Sequence, residues 1–300
     1  MKTTRTPLYG LTLALLTTAL FLPQAHAITI AHGGDSVDID FVDIGNAGNV
    51  GDTAVAGYGA VNYEYSIGTY EVTANQWTTV TSYDSNIATG SQSDAWSGLQ
   101  PTANVSWYEA AKFANWLTSG DALQGAYQFS DATTFTGVDR DTALQTYQTI
   151  YVLPSEDEWY KAAYFKSDGS GYTLYPTGDT APTAQVNANY SSLTSPWDVG
   201  SGSVENNGTY DMGGNLWEWG ESAYDGTLDD PAESRVIRGG FWGNTSVTLE
   251  SSYRTTTTPG NEFNYLGFRV AALELQVVPE PSSVGLLVIG AMGCVLRRKR

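Results

Sequence analysis

Cysteine is almost absent from this 300-residue chain: the single one, Cys294, lies in an apolar run near the C-terminus. Everything upstream therefore has no disulfide, no thiolate metal site and no cysteine nucleophile. Histidine is nearly as scarce, with His26 and His32 alone, so an imidazole cluster for zinc or iron cannot be assembled. A Ser-His-Asp arrangement could draw only on His32, because His26 falls in a leader described below. Basic side chains number 14 against 32 acidic ones, a net charge of −18. That balance repels nucleic acid and anionic lipid surfaces and suits solubility or cation binding. Long hydrophobic runs are missing too: Val284 to Leu296 is shorter than the roughly 17–25 residues that span a bilayer comfortably.

The two ends are informative. Lys2 and Arg5 precede an apolar stretch from Leu8 to Leu22, and Ala25-His26-Ala27 supplies small residues around a cleavage point. This is the pattern of a secretory leader over 1–27, with a mature chain beginning at Ile28. Pro23 argues against a buried helix there. At the other end Pro279-Glu280-Pro281 is followed by the short apolar run and by Arg297, Arg298, Lys299 and Arg300. Terminal positive charge stays on the cytoplasmic side of a membrane. Residues 279–300 resemble a PEP-CTERM sorting signal, with a short transmembrane helix and a basic tail. The resemblance implies an exosortase-type processing protease as a partner at the membrane. It also implies an exported bacterial protein of the cell surface or extracellular matrix, released or anchored by that helix. An ordinary tail anchor explains the helix and the charges but not the Pro-Glu-Pro. Between the two ends, 28–278 is one domain-sized segment keeping 8 basic and 31 acidic residues, a net charge near −23.

Within this segment three helix starts share one signature. Thr73 with Gln76, Ser106 with Glu109, and Ser155 with Glu158 each place a hydroxyl three residues before a Glu or Gln, a capping box. The second helix is expected to run to about Leu117, with Trp107, Ala110, Ala111, Ala114 and Leu117 on one face and Gly120 just beyond its end. The third is expected from Glu156 to about Phe165. Strands are expected at Tyr63–Tyr70, around Val152, at Arg235–Arg238 and at Gly267–Leu273. The rest is Gly/Asn/Asp/Ser/Thr loop, too long to be structureless inside one domain. The fold class is α+β.

Six phrases in order carry a resemblance over about 40–274: Tyr70-Glu71-Val72-Thr73; Pro101 to Leu117; Leu153 to Trp159; Asp211 to Trp219; Arg238-Gly-Gly-Phe-Trp242; and Gly267-Phe-Arg-Val270. Together they resemble the formylglycine-generating (sulfatase-modifying) enzyme family. The resemblance implies a single domain related to C-type lectins, with few short helices and strands and long ordered loops. In Asp211–Glu218 two carboxylates flank a glycine turn, supplying the hard oxygen ligands Ca²⁺ takes. Capping of the turn, or pairing with Arg238 or Arg269, is the alternative. By resemblance the calcium ligands are Asp211, the Gly214 and Leu216 carbonyls, and Glu218, giving a structural Ca²⁺. A second family calcium site begins like Asn189-Tyr190, but the stretch to Pro196 holds no carboxylate.

The family's enzymes hold copper with two cysteines after the Arg-Gly-Gly, and the matching positions here are Asn244 and Leu249. Neither offers the soft thiolate that Cu(I) selects. Relatives in the ergothioneine pathway bind iron through histidines, which this segment also lacks, so neither copper nor iron is expected. The reading is a non-catalytic binding or structural module stabilised by Ca²⁺. Trp242, Asn244, Tyr253 and Arg254 would form a groove for a peptide or glycan, or else pack the core. The alternatives are a formylglycine-generating-type oxidoreductase using unrecognised chemistry, and a spacer displayed for bulk.

Overall fold

A computed structural model describes residues 25–90, 96–192, 194–226, 228 and 230–275. The proposed sorting signal and most of the leader lie outside these residues. Among the described residues no helix is long and apolar enough to cross a membrane.

The three capping boxes start the three helices expected from them: α1 (Ala74–Tyr83), α2 (Trp107–Ser119) and α4 (Glu156–Tyr164). In each, the hydroxyl accepts from the N3 backbone N–H and the N3 side chain reaches back to the cap, satisfying two orphan donors. Gly120 ends α2 in the left-handed conformation at φ 82°. A further helix, α3 (Arg140–Tyr147), starts at Asp139, whose side chain accepts from the Thr142 N–H.

Strands β1 (Ala25–His32), β2 (Asp35–Ile44), β3 (Tyr65–Gly68), β6 (Thr149–Val152) and β11 (Ala271–Glu274) form one sheet in the order β1-β2-β3-β11-β6. Val37, Ile39 and Phe41 of β2 turn inward and Ser36, Asp38 and Asp40 outward, the period-two alternation of a half-buried strand. β1 begins at Ala25, so residues 25–27 of the expected leader pair with Asp40–Val42 of β2. A hairpin joins β4 (Tyr127–Phe129) and β5 (Phe135–Val138). The remaining sheet contains β7 (Trp217–Ala223), β8 (Arg235–Arg238), β9 (Thr255–Thr257) and β10 (Leu266–Gly267), in the order β10-β7-β8-β9.

The single strand expected at Gly267–Leu273 is two. Leu266–Gly267 pairs in parallel with β7, while Ala271–Glu274 lies between β3 and β6. Phe268-Arg269-Val270 crosses from one sheet to the other, which carries Arg269 into the interior with no exposed surface. The core around it is aromatic. Trp107, Trp116, Trp159 and Trp219 are all fully buried, and Trp107 and Trp219 donate their indole N–H groups to the Gly220 and Val105 carbonyls at 3.0 and 2.9 Å. Those two bonds tie β7 to α2 and to the segment leading into it. The fold thus delivers the 211–218 turn, Arg269 and the start of α4 to one place.

Candidate functional site

The turn 211–218 bends sharply enough to need left-handed backbone at Asp211, Gly214 and Asn215 (φ 61°, 95° and 61°). A side chain at Gly214 would overlap the Asn189 carbonyl, so the glycine is sterically required. Asn189 also donates to Asn215 Oδ1 at 3.1 Å, which places the 189 segment against the turn without giving it a carboxylate.

Glu218 leaves the turn on β7 and meets Arg269. The guanidinium donates through Nε to Oε2 at 2.7 Å and through Nη2 to Oε1 at 2.6 Å, and Trp159 Nε1 adds a third bond to Oε2 at 2.8 Å. Both residues of the ion pair are fully buried. Arg269 further donates to the Gly68 and Tyr210 carbonyls, each at 2.9 Å. The arginine pair named as one alternative for Glu218 is present, with Arg269 as the partner.

Three more carboxylates surround this pair. Glu71 accepts from Asn215 Nδ2 at 2.6 Å and from the Leu216 N–H at 2.9 Å. Glu205 accepts from the Met212 and Gly213 N–H groups, both at 3.2 Å, and from Thr209 Oγ1 at 3.0 Å. Asp211 accepts from the Gly200 N–H at 2.7 Å. Burial raises all three against ionisation: Glu205 to about 8, Asp211 to about 6, and Glu71 well above the usual range, with Asp211 and Glu218 adding repulsion at Glu71. The turn is therefore held by backbone N–H groups donating into carboxylates.

The expected calcium set does not fit this geometry. An ion on Glu218 would have to displace a guanidinium from both carboxylate oxygens.

The positions matching the copper cysteines have separate structural roles. Asn244 Oδ1 accepts from the Phe241 N–H at 3.1 Å, and its carbonyl accepts from the Ser191 N–H at 2.8 Å, closing a turn. Leu249 ends a short 3₁₀ turn (Ser246–Leu249) and is fully buried with Tyr175, Ala188 and Tyr190.

The proposed groove residues part company as well. Trp242 is half-buried against Phe241, with ring centroids 5.2 Å apart, and its Nε1 lacks a partner among the described residues. Tyr253 is exposed, its ring 5.9 Å from that of Trp217. Arg254 is engaged by Glu156, through Nε at 2.8 Å and Nη2 at 2.7 Å, and lies over the Tyr224 ring at 4.1 Å. Glu156 simultaneously accepts from Arg238 at 2.9 and 2.6 Å, and Arg238 donates on to the Ser251 and Tyr253 carbonyls. Arg254 thus belongs to a charge triad, not to a free wall.

A second buried network has no sequence signature beyond one capping-box glutamate. Arg140 joins Glu158 at 2.8 Å to Glu221 at 2.9 Å, while Tyr63 and Tyr127 donate to those two carboxylates. Its partners lie far apart in the chain, so periodicity could not find it.

The family description of a sulfatase-modifying factor enzyme 1-like domain matches the sequence over residues 24–273. The chain belongs to the sulfatase-modifying factor enzyme 1-like family. A PEP-CTERM protein-sorting motif follows at 277–300, which implies export, sorting to the cell surface and processing by an exosortase at the membrane. Among curated relatives, the serine/threonine-protein kinase Pkn1 of Chlamydia trachomatis is 29% identical over 57% of this chain, and the chaperone protein LppX of Paenibacillus barcinonensis 26% over 63%. The match spans about a quarter of the kinase (24%) and 73% of the chaperone. A hercynine oxygenase of Mycolicibacterium thermoresistibile is 29% identical over 44% of this chain and 34% of its own. Two solved structures share the fold. Treponema denticola variable protein 1 has a TM-score of 0.59 at 22% identity, covering 83% of this chain and 99% of its own. CarF has a TM-score of 0.60 at 23% identity, covering 79% and 99%. The formylglycine-generating-enzyme-like α+β fold expected from sequence is the fold found.

Proposed function

We propose that this exported family member is a non-catalytic binding or structural module of the cell surface. The observation that carries the reading is the fate of the two positions where the family's copper thiolates stand. Asn244 closes a turn and Leu249 fills a small core, so both serve the fold, and neither side chain is a ligand for Cu(I). Fold membership does not transfer the oxidase chemistry, because that chemistry resides in the ligands. Arg238, Arg254 and Arg269 are each paired with a carboxylate, an arrangement that suits a structural role.

The test is direct. The purified chain is supplied with copper and a cysteine-containing peptide, and oxygen consumption and formylglycine are followed. No turnover above the copper blank is expected. Formylglycine formation at an enzymatic rate would replace this reading with the oxidoreductase one.

A further inference from the structure

A cleft of about 490 Å³ opens between the loop that leaves β2 and the loop that follows α4. It shares no residue with the 211–218 turn or with the groove expected around Trp242. Its size falls in the range of small-molecule sites, and it lies between loops on a rigid scaffold.

Its chemistry is selective. Asn46, Asn49, Asp52, Thr53, Ser170 and Tyr172 supply its polar side chains, Ala47, Val50 and Phe165 its apolar ones, and glycines most of the remaining wall. No Lys, Arg or His lines it, so phosphates, sulfates and uronates find no counter-charge. The one charged liner, Asp52, is already engaged, by Tyr160 Oη at 2.8 Å and the Ala54 N–H at 2.9 Å. The cleft's apolar wall is the ring of Tyr172, which meets the buried Phe165 edge-on with centroids 5.1 Å apart, together with Ala47 and the exposed Val50. Around that wall stand amide and hydroxyl groups: Asn46 Oδ1 faces Gly169 across the gap, and exposed Ser170 lies beside it.

The cleft is also preformed. Tyr172 Oη accepts from Asn49 Nδ2 at 2.7 Å, and its single proton lies within reach of the Val50 and Gly59 carbonyls, each at 3.0 Å. Lys161 Nζ holds the Asn46 carbonyl from beneath at 3.0 Å. At Gly51 a Cβ would collide with the Gly57 carbonyl, so the glycine lets the loop fold back tightly. A preformed cleft pays little ordering entropy on binding.

We propose that this cleft binds a neutral saccharide, with a sugar ring against Tyr172 beside Val50 and its hydroxyls on Asn46, Ser170 and the loop backbone. An aromatic ring beside neutral hydrogen-bonding groups complements a ligand that is apolar on its ring faces and polar at its rim. The proposal is independent of the non-catalytic reading, which stands or falls on oxygen consumption.

The experiment titrates the purified protein with neutral oligosaccharides of glucose, galactose, mannose and xylose, and with sulfated and uronic-acid oligosaccharides, by saturation-transfer NMR and calorimetry. Two variants leave the scaffold alone. Ser170→Trp plugs the cleft from an exposed position, and Asn46→Gly removes the amide while tolerating the left-handed φ of 58°. Binding of at least one neutral oligosaccharide is expected, weakened about tenfold or more by each variant, about 1.4 kcal/mol. Trp242→Ala should leave it unchanged. Should Ser170→Trp fail to fold, Asn46→Gly carries the test alone. The proposal is overturned if no neutral oligosaccharide binds, if only the acidic ones do, or if binding survives in the folded cleft variants. Loss of binding in folded Trp242→Ala overturns it equally, by moving the site to the other loop.

Discussion

Two of the buried charge centres among the described residues, those around Arg269 and Glu156, are built with opposite surpluses. Around Arg269 one guanidinium faces four buried carboxylates, Glu71, Glu205, Asp211 and Glu218, and bonds directly only to the last. At the start of α4 one carboxylate, Glu156, is bonded by two guanidiniums, Arg238 and Arg254. The surplus acid is handled by backbone N–H groups and by raised proton affinity. The surplus base is handled by carbonyl acceptors and by the faces of Tyr58, Tyr160 and Tyr224. Protonation can neutralise a carboxylate near neutral pH, whereas a guanidinium never loses its charge there. The surplus charge around Arg269 can therefore be removed by protons and that around Glu156 cannot, so removing the minority charge should have different consequences in the two places.

Arg269→Met is the severest test. It leaves Glu218 without its cation in a site that already carries three surplus acids, and breaking a buried pair typically costs about 3–5 kcal/mol. Loss of that order is expected in urea unfolding, or failure to fold at neutral pH. A loss below about 1 kcal/mol would mean that the hydrogen bonds, not the arginine, hold the centre.

The pH response follows from Glu205 and Asp211, whose folded pKa values are raised to about 8 and about 6. Their unfolded values are near 4.3 and 3.9, so between about pH 4 and 8 the native state binds more protons than the unfolded one. Stability then falls as pH rises through that window, by a few kcal/mol in total. Glu205 faces Arg269, which opposes the shift, and Asp211, which reinforces it. Thermal melts should show a maximum on the acid side of neutrality, and Glu205→Gln should flatten the slope toward pH 8. A melting temperature that climbs from pH 5 to 8 in the native chain would show that the surplus acids are not neutralised by protons.

Glu156→Gln probes the base-rich centre and should cost less, about 1–3 kcal/mol. Arg254 retains solvent access and the Tyr224 ring, and Arg238 keeps two carbonyl acceptors. Equal losses for Glu156→Gln and Arg269→Met would erase the distinction between the centres.

Sequence alone gave access to these centres unevenly. The helix starts were readable because a capping box is complete within four residues. β2 is not among the strands expected from sequence, although the alternation of Val37, Ile39 and Phe41 with Ser36, Asp38 and Asp40 is a signal able to find it. For β1 no such signal is legible, because its start overlaps the end of a leader pattern. The division of Gly267–Leu273 depends on Arg269 reaching residues 51, 59 and about 200 positions away, which no local rule detects. For the same reason Arg254 reads as a groove residue, although its partner Glu156 is 98 positions distant. What stood in the motifs was the backbone that brings charges together; which charge meets which is decided by the fold.

The smallest expected effect concerns calcium, and it bears directly on the acid-rich centre. A Ca²⁺ site filled at a hundred times its dissociation constant would stabilise the domain by about 2.7 kcal/mol. For a domain of this size that corresponds to a melting shift of about 5–10 °C. With both Glu218 oxygens engaged by Arg269 and Trp159, and with Asp211 and Glu205 inclined to hold protons, no such shift is expected between EDTA and millimolar calcium at pH 6. A shift of that size, abolished in Asp211→Asn, would mean that the ion competes successfully with protons and the guanidinium. The surplus of acid would then be a calcium site in waiting, and the pH slope should vanish when calcium is present.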